Sequence, residues 1–142
     1  MPEEKTLERA SRARREGKAP STQAGEFVRE EMEHIREGKH GARSTKQAIA
    51  IGLSKARRAG VALKPPRGGK ASTRRKAAQD SARPRRAASR TRSRATLNAL
   101  RHEGRRAASP EALARQARQS ARRRGAASRR AAARRAAATR KR

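Results

Sequence analysis

The fold is decided by residues 21–63, which read STQAGEFVREEMEHIREGKHGARSTKQAIAIGLSKARRAGVAL. The first half of this stretch opens with Ser21-Thr22-Gln23, which offers an N-cap. It closes with Gly38, which suits the left-handed backbone position that follows a helix. The bulky apolar residues between them recur with the spacing of one helical face. They are Phe27, Val28, Met32 and Ile35. This pattern predicts a helix over about residues 22–37.

A second helix is predicted over about residues 45–59. Ser44 and Gln47 have the spacing of a capping box, in which two side chains satisfy free N–H groups at the start of a helix. Gly60 offers a stop after the last turn. The apolar face between them consists of Ile49, Leu53 and Ala56.

The two helices are joined by residues 38–43, a length that is typical of helix–helix connections. The sequence therefore predicts a mainly α protein built around a helical hairpin, residues 21–63. The hairpin has only about eight bulky side chains to bury, at roughly 1.5–3 kcal/mol each. We expect it to be marginal alone, and self-association through the hairpin is one way to stabilise it.

The flanking segments have a different composition. Residues 1–20 carry charges throughout and no apolar block, which predicts a charged flexible leader without a secretory signal. Prolines and glycines at residues 65–69 mark the end of the hairpin. Residues 64–142 are a low-complexity Arg/Ala tail, expected to be largely disordered because few bulky residues face many like charges. Helix signals within it predict partial helices near 96–106 and 110–124.

Charge sets the class of partner. The chain has 41 Lys and Arg against 12 Asp and Glu, and 32 of the cations are arginine. Residues 67–142 hold 26 of the cations and three acids. Such a balance is typical of nucleic-acid binding, which is driven by counterion release from phosphates. The planar guanidinium also suits bidentate contact with phosphate.

The same composition excludes several ways of reading bases. Phe27 is the only aromatic residue, so the tail has no platform on which bases can stack. The chain has no cysteine, which excludes the usual zinc fingers. The join of the hairpin is longer than the short turn of a helix-turn-helix motif. We therefore expect contacts to the phosphate backbone without sequence readout.

Candidate phosphate contacts lie in both halves of the chain. Around the predicted start of the second helix, four residues (Lys39, His40, Arg43 and Lys46) surround a positive helix end that can bind an anion. The alternative for this segment is that Ser44 simply caps the helix and the cations face solvent. The residues expected to contact nucleic acid are Lys39, His40, Arg43, Lys46, Arg57, Arg58, Arg74, Arg75, Arg85, Arg86, Arg122, Arg123, Arg124, Arg129, Arg130, Arg134 and Arg135.

The stretch GKHGARSTKQAIAIGLSKARRAG, residues 38–60, resembles a family of small basic bacterial proteins. Members of that family often carry the label of plasmid stabilisation protein or of a domain of unknown function. The resemblance extends over about residues 21–66, roughly 40 of the 142 residues, and is most specific from Lys46 to Gly60. It implies a bacterial cytoplasmic protein and carries over no catalytic residue. The tail is similar in composition to the Ala/Arg-rich arms of linker-histone-like bacterial proteins.

Other kinds of site are not expected. Glu31-x-x-His34 has the spacing of a di-iron motif, but such a site needs carboxylates from four helices, so no metal and no cofactor are predicted. No spaced nucleophile, base and acid are present, and we predict no enzyme. The longest mainly apolar run, residues 48–53, is too short to cross a bilayer, and no membrane partner is expected.

The expected function is sequence-independent binding of nucleic acid, DNA more than RNA, with histone-like compaction of the nucleoid. The expected location is the cytoplasm, at the nucleoid. Two alternatives remain open at the level of sequence. One is an RNA-binding or ribosome-associated basic protein. The other is a protein-interaction adaptor in plasmid maintenance, whose acidic helix over residues 22–37 docks a partner.

Overall fold

The computed structural model describes residues 2–82 and 89–141, and these residues are mainly helical, as predicted. The helices are α1 Glu4–Arg15, α2 Pro20–Arg36, α3 Thr45–Arg58, α4 Ala71–Ala82, α5 Arg90–Arg101 and α6 Pro110–Arg140, with a short 3₁₀ helix at Arg106–Ala108. The chain divides into two units. Unit 1 is Met1–Ala108 and unit 2 is Ser109–Arg142.

The predicted hairpin is confirmed as α2 and α3, each within two residues of the predicted ends. The Ser44 hydroxyl accepts a hydrogen bond from the Gln47 backbone N–H at 3.2 Å, so the predicted cap forms. The Gln47 side chain accepts from the backbone N–H of Arg43 at 2.7 Å, one residue earlier than in a standard capping box. Gly38 has a φ of +77°, the left-handed geometry that ends α2.

The two helices of the hairpin approach closely because small residues line one side. Phe27 and Ile35 of α2 are almost completely buried, and so are Ala48 and Ala56 of α3. At Gly52 the backbones are so near that an added Cβ would lie 2.7 Å from the Cα atom of Val28. The core of unit 1 therefore depends on shape as much as on apolar area.

The predicted flexible leader is a helix in the structure. α1 packs on α2, and its buried residues are Thr6, Ala10 and Ala13. These side chains are small and carry little of the bulky apolar signal from which a helix face is usually recognised. Ala10 joins Ala24, Phe27 and Ala56 in one cluster, so the segment has a packing surface after all.

The tail differs most from the prediction, because the described part of it is largely helical rather than disordered. Its first portion belongs to unit 1: α4 packs on α3 through Ala77, and Ser54 donates to the Asp80 carboxylate at 2.6 Å. Alanine and arginine are strong helix formers, and the few apolar or acidic residues of this segment supply the docking contacts. Unit 1 therefore extends far beyond the predicted boundary after residue 63.

Residues 100–108 complete unit 1 by docking on the loop between α2 and α3. The backbone N–H of Gly41 donates to the Leu100 carbonyl at 2.8 Å, and that of Ala42 donates to the Gly104 carbonyl at 3.1 Å. A Cβ at Gly41 would collide with the carbonyl group of Glu103, so only glycine fits there. The helix predicted near 96–106 lies earlier, as α5, and ends where this docked turn begins.

Unit 2 consists of α6, which is divided at Gly125. The Ser109 hydroxyl accepts from the Ala112 N–H at 3.1 Å, as expected for the predicted opening Ser109-Pro110-Glu111. Gly125 has φ +73° and ψ 167°, so the backbone leaves the helical conformation at the predicted stop. A further helical segment follows up to Arg140, beyond the predicted end at residue 124. None of the residues described in α6 is buried.

Candidate nucleic-acid interface

Most acidic side chains of residues 1–37 lie close to basic groups of unit 1. Seven of the nine carboxylates of residues 1–37 have a basic group within 4.0 Å. These acids are Glu3, Glu16, Glu26, Glu30, Glu31, Glu33 and Glu37. Because most of them face a partner of the same unit, little of the negative charge remains to oppose a polyanion.

The most deeply buried charge is Glu31 on α2, whose side chain is 1% exposed. One carboxylate oxygen contacts the ammonium group of Lys55, which projects from α3. The other lies 3.3 Å from Nε2 of His40, and the second ring nitrogen of His40 is 2.9 Å from the Gly41 carbonyl. The loop before α3 is thus held to α2 through a buried polar cluster.

A second group of polar side chains surrounds His34, which follows Glu31 by one helical turn. Nε2 of His34 donates to the Glu3 carboxylate at 2.8 Å, and Lys39 reaches the same carboxylate at 3.1 Å. The backbone N–H of Glu3 donates in turn to Glu30 at 3.1 Å. The hydrogen bond from His34, followed by the one from Lys39, holds the pKa of the Glu3 carboxyl below its usual value. On the cation, hydrogen bonds to Glu37 and then Glu3 raise the pKa of Lys39.

We expect Glu3→Gln to reduce the acid sensitivity of unit 1. A carboxyl whose pKa is lower in the folded state adds stability above its unfolded pKa, near 4.5, and that stability is lost as the pH falls through the folded pKa. The difference in unfolding free energy between neutral pH and pH 3 should therefore be smaller in the variant. Urea unfolding at both pH values measures it.

Glu8→Gln is the matched control, because Glu8 is exposed on α1, the helix that Glu3 precedes. The control should behave as the wild type does. Equal acid sensitivity of Glu3→Gln and the wild type would show that the contacts of Glu3 with His34 and Lys39 do not stabilise the fold.

The four residues predicted to form an anion site at the start of α3 lie in different environments. His40 is 7% exposed and faces Glu31, so its side chain points away from the surface. Lys39 is exposed but contacts Glu3 and Glu37. Arg43 and Lys46 remain exposed beside the first turn. The Ser44 cap forms, which was the alternative for this segment, and the Ala107 carbonyl accepts a bond from Thr45 at 2.7 Å. This helix start is therefore already used by protein groups.

Two other predicted residues of unit 1 also have structural roles. Arg57 is buried, and its guanidinium donates to the carbonyl groups of Leu63 and Lys64 at 3.3 Å each. It thereby holds the chain that leaves α3 against the helix end. Arg58 is half-buried and lies 3.5 Å from the Ser54 carbonyl.

The remaining predicted cations are exposed or lie outside the described residues. Arg74 and Arg75 are exposed on α4, whereas Arg85 and Arg86 lie outside the described residues. The seven predicted arginines of α6 are all exposed, and they are Arg122, Arg123, Arg124, Arg129, Arg130, Arg134 and Arg135. Among the residues that the structure describes, no arginine of α4, α5 or α6 has a carboxylate within 4.0 Å.

Sequence reasoning missed the polar cluster formed by Glu31, His34 and His40. One ligand-type atom from each of these residues lies within 4.8 Å of the other two. Glu31 and His34 share a helix face, and their spacing was recognised. The approach of His40 depends on the path of the loop between α2 and α3, which residue spacing does not reveal. A histidine shortly after an acidic helix is the signal that could have suggested it.

No helix in the described part of the chain combines the length and the apolar character that crossing a membrane requires. Neither the protein-family models, nor the curated proteins, nor the solved structures that were compared with this chain include a match.

Proposed function

We propose that this protein binds nucleic acid, duplex DNA above all, through the phosphate backbone and without reading sequence. The observation that supports this proposal is the large number of exposed arginines on α6. Its 31 residues include ten arginines and one acid, and none of its described residues is buried. Within unit 2, α6 therefore has no hydrophobic core that could stabilise it.

Like charges at helical spacing oppose the conformation in which α6 is found. Arginines three and four residues apart on a helix repel each other, and isolated helices gain only modest stability from propensity. A polyanion removes the repulsion and adds hydrogen bonds to guanidinium groups. We therefore expect α6 to be more helical when it is bound to nucleic acid than when it is free. We expect its arginines to contact the phosphate groups.

The residues between the arginines favour binding without sequence preference. Most of them are alanines, which have no side-chain donors or acceptors for base edges. Gly125 separates two helical segments, each of about 15 residues and roughly 22 Å long. Two short basic segments can follow a backbone or contact neighbouring duplexes. Neutralisation and bridging of this kind would compact DNA, which supports a histone-like role at the nucleoid.

The alternative of an adaptor has less support from the surface. It requires the acids of the predicted helix 22–37 to be available to a partner. In α2, Glu30 and Glu31 are buried, and Glu26 and Glu33 lie near arginines of unit 1. The exposed charge of the chain is positive instead, which favours a phosphate polymer as partner.

Fluorescence anisotropy tests the proposal with the full chain. The probes are a random 30-base-pair DNA duplex, an RNA duplex of the same sequence, and a second DNA duplex of scrambled sequence, all at one salt concentration. We expect the two DNA duplexes to bind equally and more tightly than RNA. Tighter binding to RNA would support the RNA-associated alternative instead, and no binding to any probe at low salt would overturn the proposal.

A further inference from the structure

We propose that Glu31, His34 and His40 form a binding site for a divalent transition-metal ion, Zn²⁺ by its chemistry. A carboxylate oxygen of Glu31 and one ring nitrogen of each histidine all lie within 4.8 Å of one another. Zinc is commonly bound by two imidazoles and a carboxylate, which leaves its fourth coordination position open. The ion would connect α2 to the loop that precedes α3. This proposal is independent of nucleic-acid binding.

The orientation of His40 is the first observation that points to a cation. Its Nδ1 lies 2.9 Å from the Gly41 carbonyl, which can only accept, so Nδ1 carries the proton. In the neutral ring, Nε2 is then an acceptor, and it faces another acceptor, Glu31 Oε2, at 3.3 Å. Two such atoms at this distance need either a proton or a metal ion between them. A histidine fixed by a backbone carbonyl at one nitrogen is the usual arrangement of a metal ligand.

The distance itself agrees with a shared ion. Zinc bonds to nitrogen and oxygen are about 2.0–2.1 Å long, which places neighbouring ligands of a tetrahedral ion roughly 3.3 Å apart. The other oxygen of Glu31 contacts Lys55, so the carboxylate is oriented and offers a single oxygen toward His40. The third ligand, His34, lies one helical turn beyond Glu31, with a ring nitrogen within 4.8 Å of the other two ligand atoms.

Glu30 provides a second, independent observation. Its side chain is 2% exposed, and its Oε2 atom is buried without a hydrogen-bond partner among the residues that the structure describes. The other oxygen, Oε1, accepts from the Glu3 backbone N–H and lies 3.8 Å from Nε2 of His34, so the carboxylate lies at the edge of the cluster. A buried carboxylate oxygen without a hydrogen-bond partner is unfavourable, and a nearby divalent ion would compensate it.

The formal charges of the cluster show the same deficit. Four carboxylates, those of Glu3, Glu30, Glu31 and Glu37, face two ammonium groups, those of Lys39 and Lys55. The carboxylates outnumber the ammonium groups by two, an excess of negative charge that favours a divalent cation. The remaining coordination position can be taken by water or by Glu30.

Zinc titration of the purified full chain tests the site. We expect one equivalent of Zn²⁺ to bind by isothermal titration calorimetry, and the unfolding temperature to rise with zinc concentration. Mg²⁺ should not compete, because it prefers oxygen ligands. Co²⁺ in place of Zn²⁺ should give the intense visible absorption of a tetrahedral site, a readout that needs no variant.

The third histidine of the chain gives a matched control. His102 is exposed at the end of α5, outside the cluster. Loss of a residue that only supports a metal ligand typically costs about 10–100-fold in affinity, so His34→Gln and His40→Gln, which remove ligands, should each weaken zinc binding at least that much. His102→Gln should leave it unchanged. If the wild type binds no zinc, a proton rather than a metal joins His40 to Glu31 and the proposal fails. It also fails if His102→Gln loses as much affinity as His40→Gln.

Discussion

Replacement of seven α6 arginines by glutamine should weaken binding to random duplex DNA about a thousandfold or more at 0.1 M salt, even if only half of them contact phosphate. The positions are Arg122, Arg123, Arg124, Arg129, Arg130, Arg134 and Arg135. Each phosphate contact adds about 0.9 to the slope of log K against log salt. If all seven engage, the slope should become shallower by about 6. Anisotropy titrations at four salt concentrations measure both quantities.

Glutamine is chosen because it keeps the helix propensity of these positions close to that of arginine. The matched control replaces the same seven residues by lysine, which keeps the charge and removes the planar fork. The lysine variant should keep the salt slope and lose only part of the affinity. An unchanged slope in the glutamine variant would show that α6 does not carry the interaction.

Gly52→Ala should destabilise unit 1 by about 1–3 kcal/mol, because overpacking a close helix contact forces the backbones apart. The added Cβ would lie 2.7 Å from the Cα atom and 2.9 Å from the backbone nitrogen of Val28. Backbone atoms cannot rotate away as the end of a side chain can. Urea unfolding followed by far-UV circular dichroism measures the change in unfolding free energy.

Gly25→Ala separates this steric effect from helix propensity. Gly25 also lies within a helix of the hairpin, but a Cβ there meets nothing within 4 Å. Alanine should therefore stabilise the protein by about 0.5–1 kcal/mol at that position. If both variants proved more stable than the wild type, this would contradict a close backbone contact between α2 and α3 at Gly52.

The hairpin could be predicted because its signals are local. The Ser44 cap, the glycine stop at residue 38 and the apolar face from Phe27 to Ile35 each depend on a few neighbouring residues. The same holds for Gly125, where the backbone leaves the helix. Such features follow from propensity and periodicity without knowledge of the tertiary contacts.

The other elements of unit 1 depend on contacts that the sequence pattern does not display. α1 is held by Ala10 and Ala13, and α4 by Ala77 and Asp80. Alanine fills both buried and exposed positions in this chain, so its pattern does not distinguish a packing face from a solvated one. A count of bulky residues therefore underestimated how much of the chain is ordered.

For the candidate interface, the sequence gives the charge of each segment but not which cations are already paired. The burial of His40 and Arg57 could not be predicted, since both depend on where the loops at the ends of α3 run. The exposed arginines of α6 needed no such knowledge, because no other element packs on them within unit 2. Local composition was therefore sufficient there.

The docking of residues 100–108 on the loop at Gly41 has a consequence for biosynthesis. A ribosome has to translate the whole of unit 1 before this closing contact can form, and α6 is the next part of the chain to be made. Domains generally fold in the order of their synthesis. The glutamates of α2 can thus reach their partners before the densest run of arginines emerges from the ribosome.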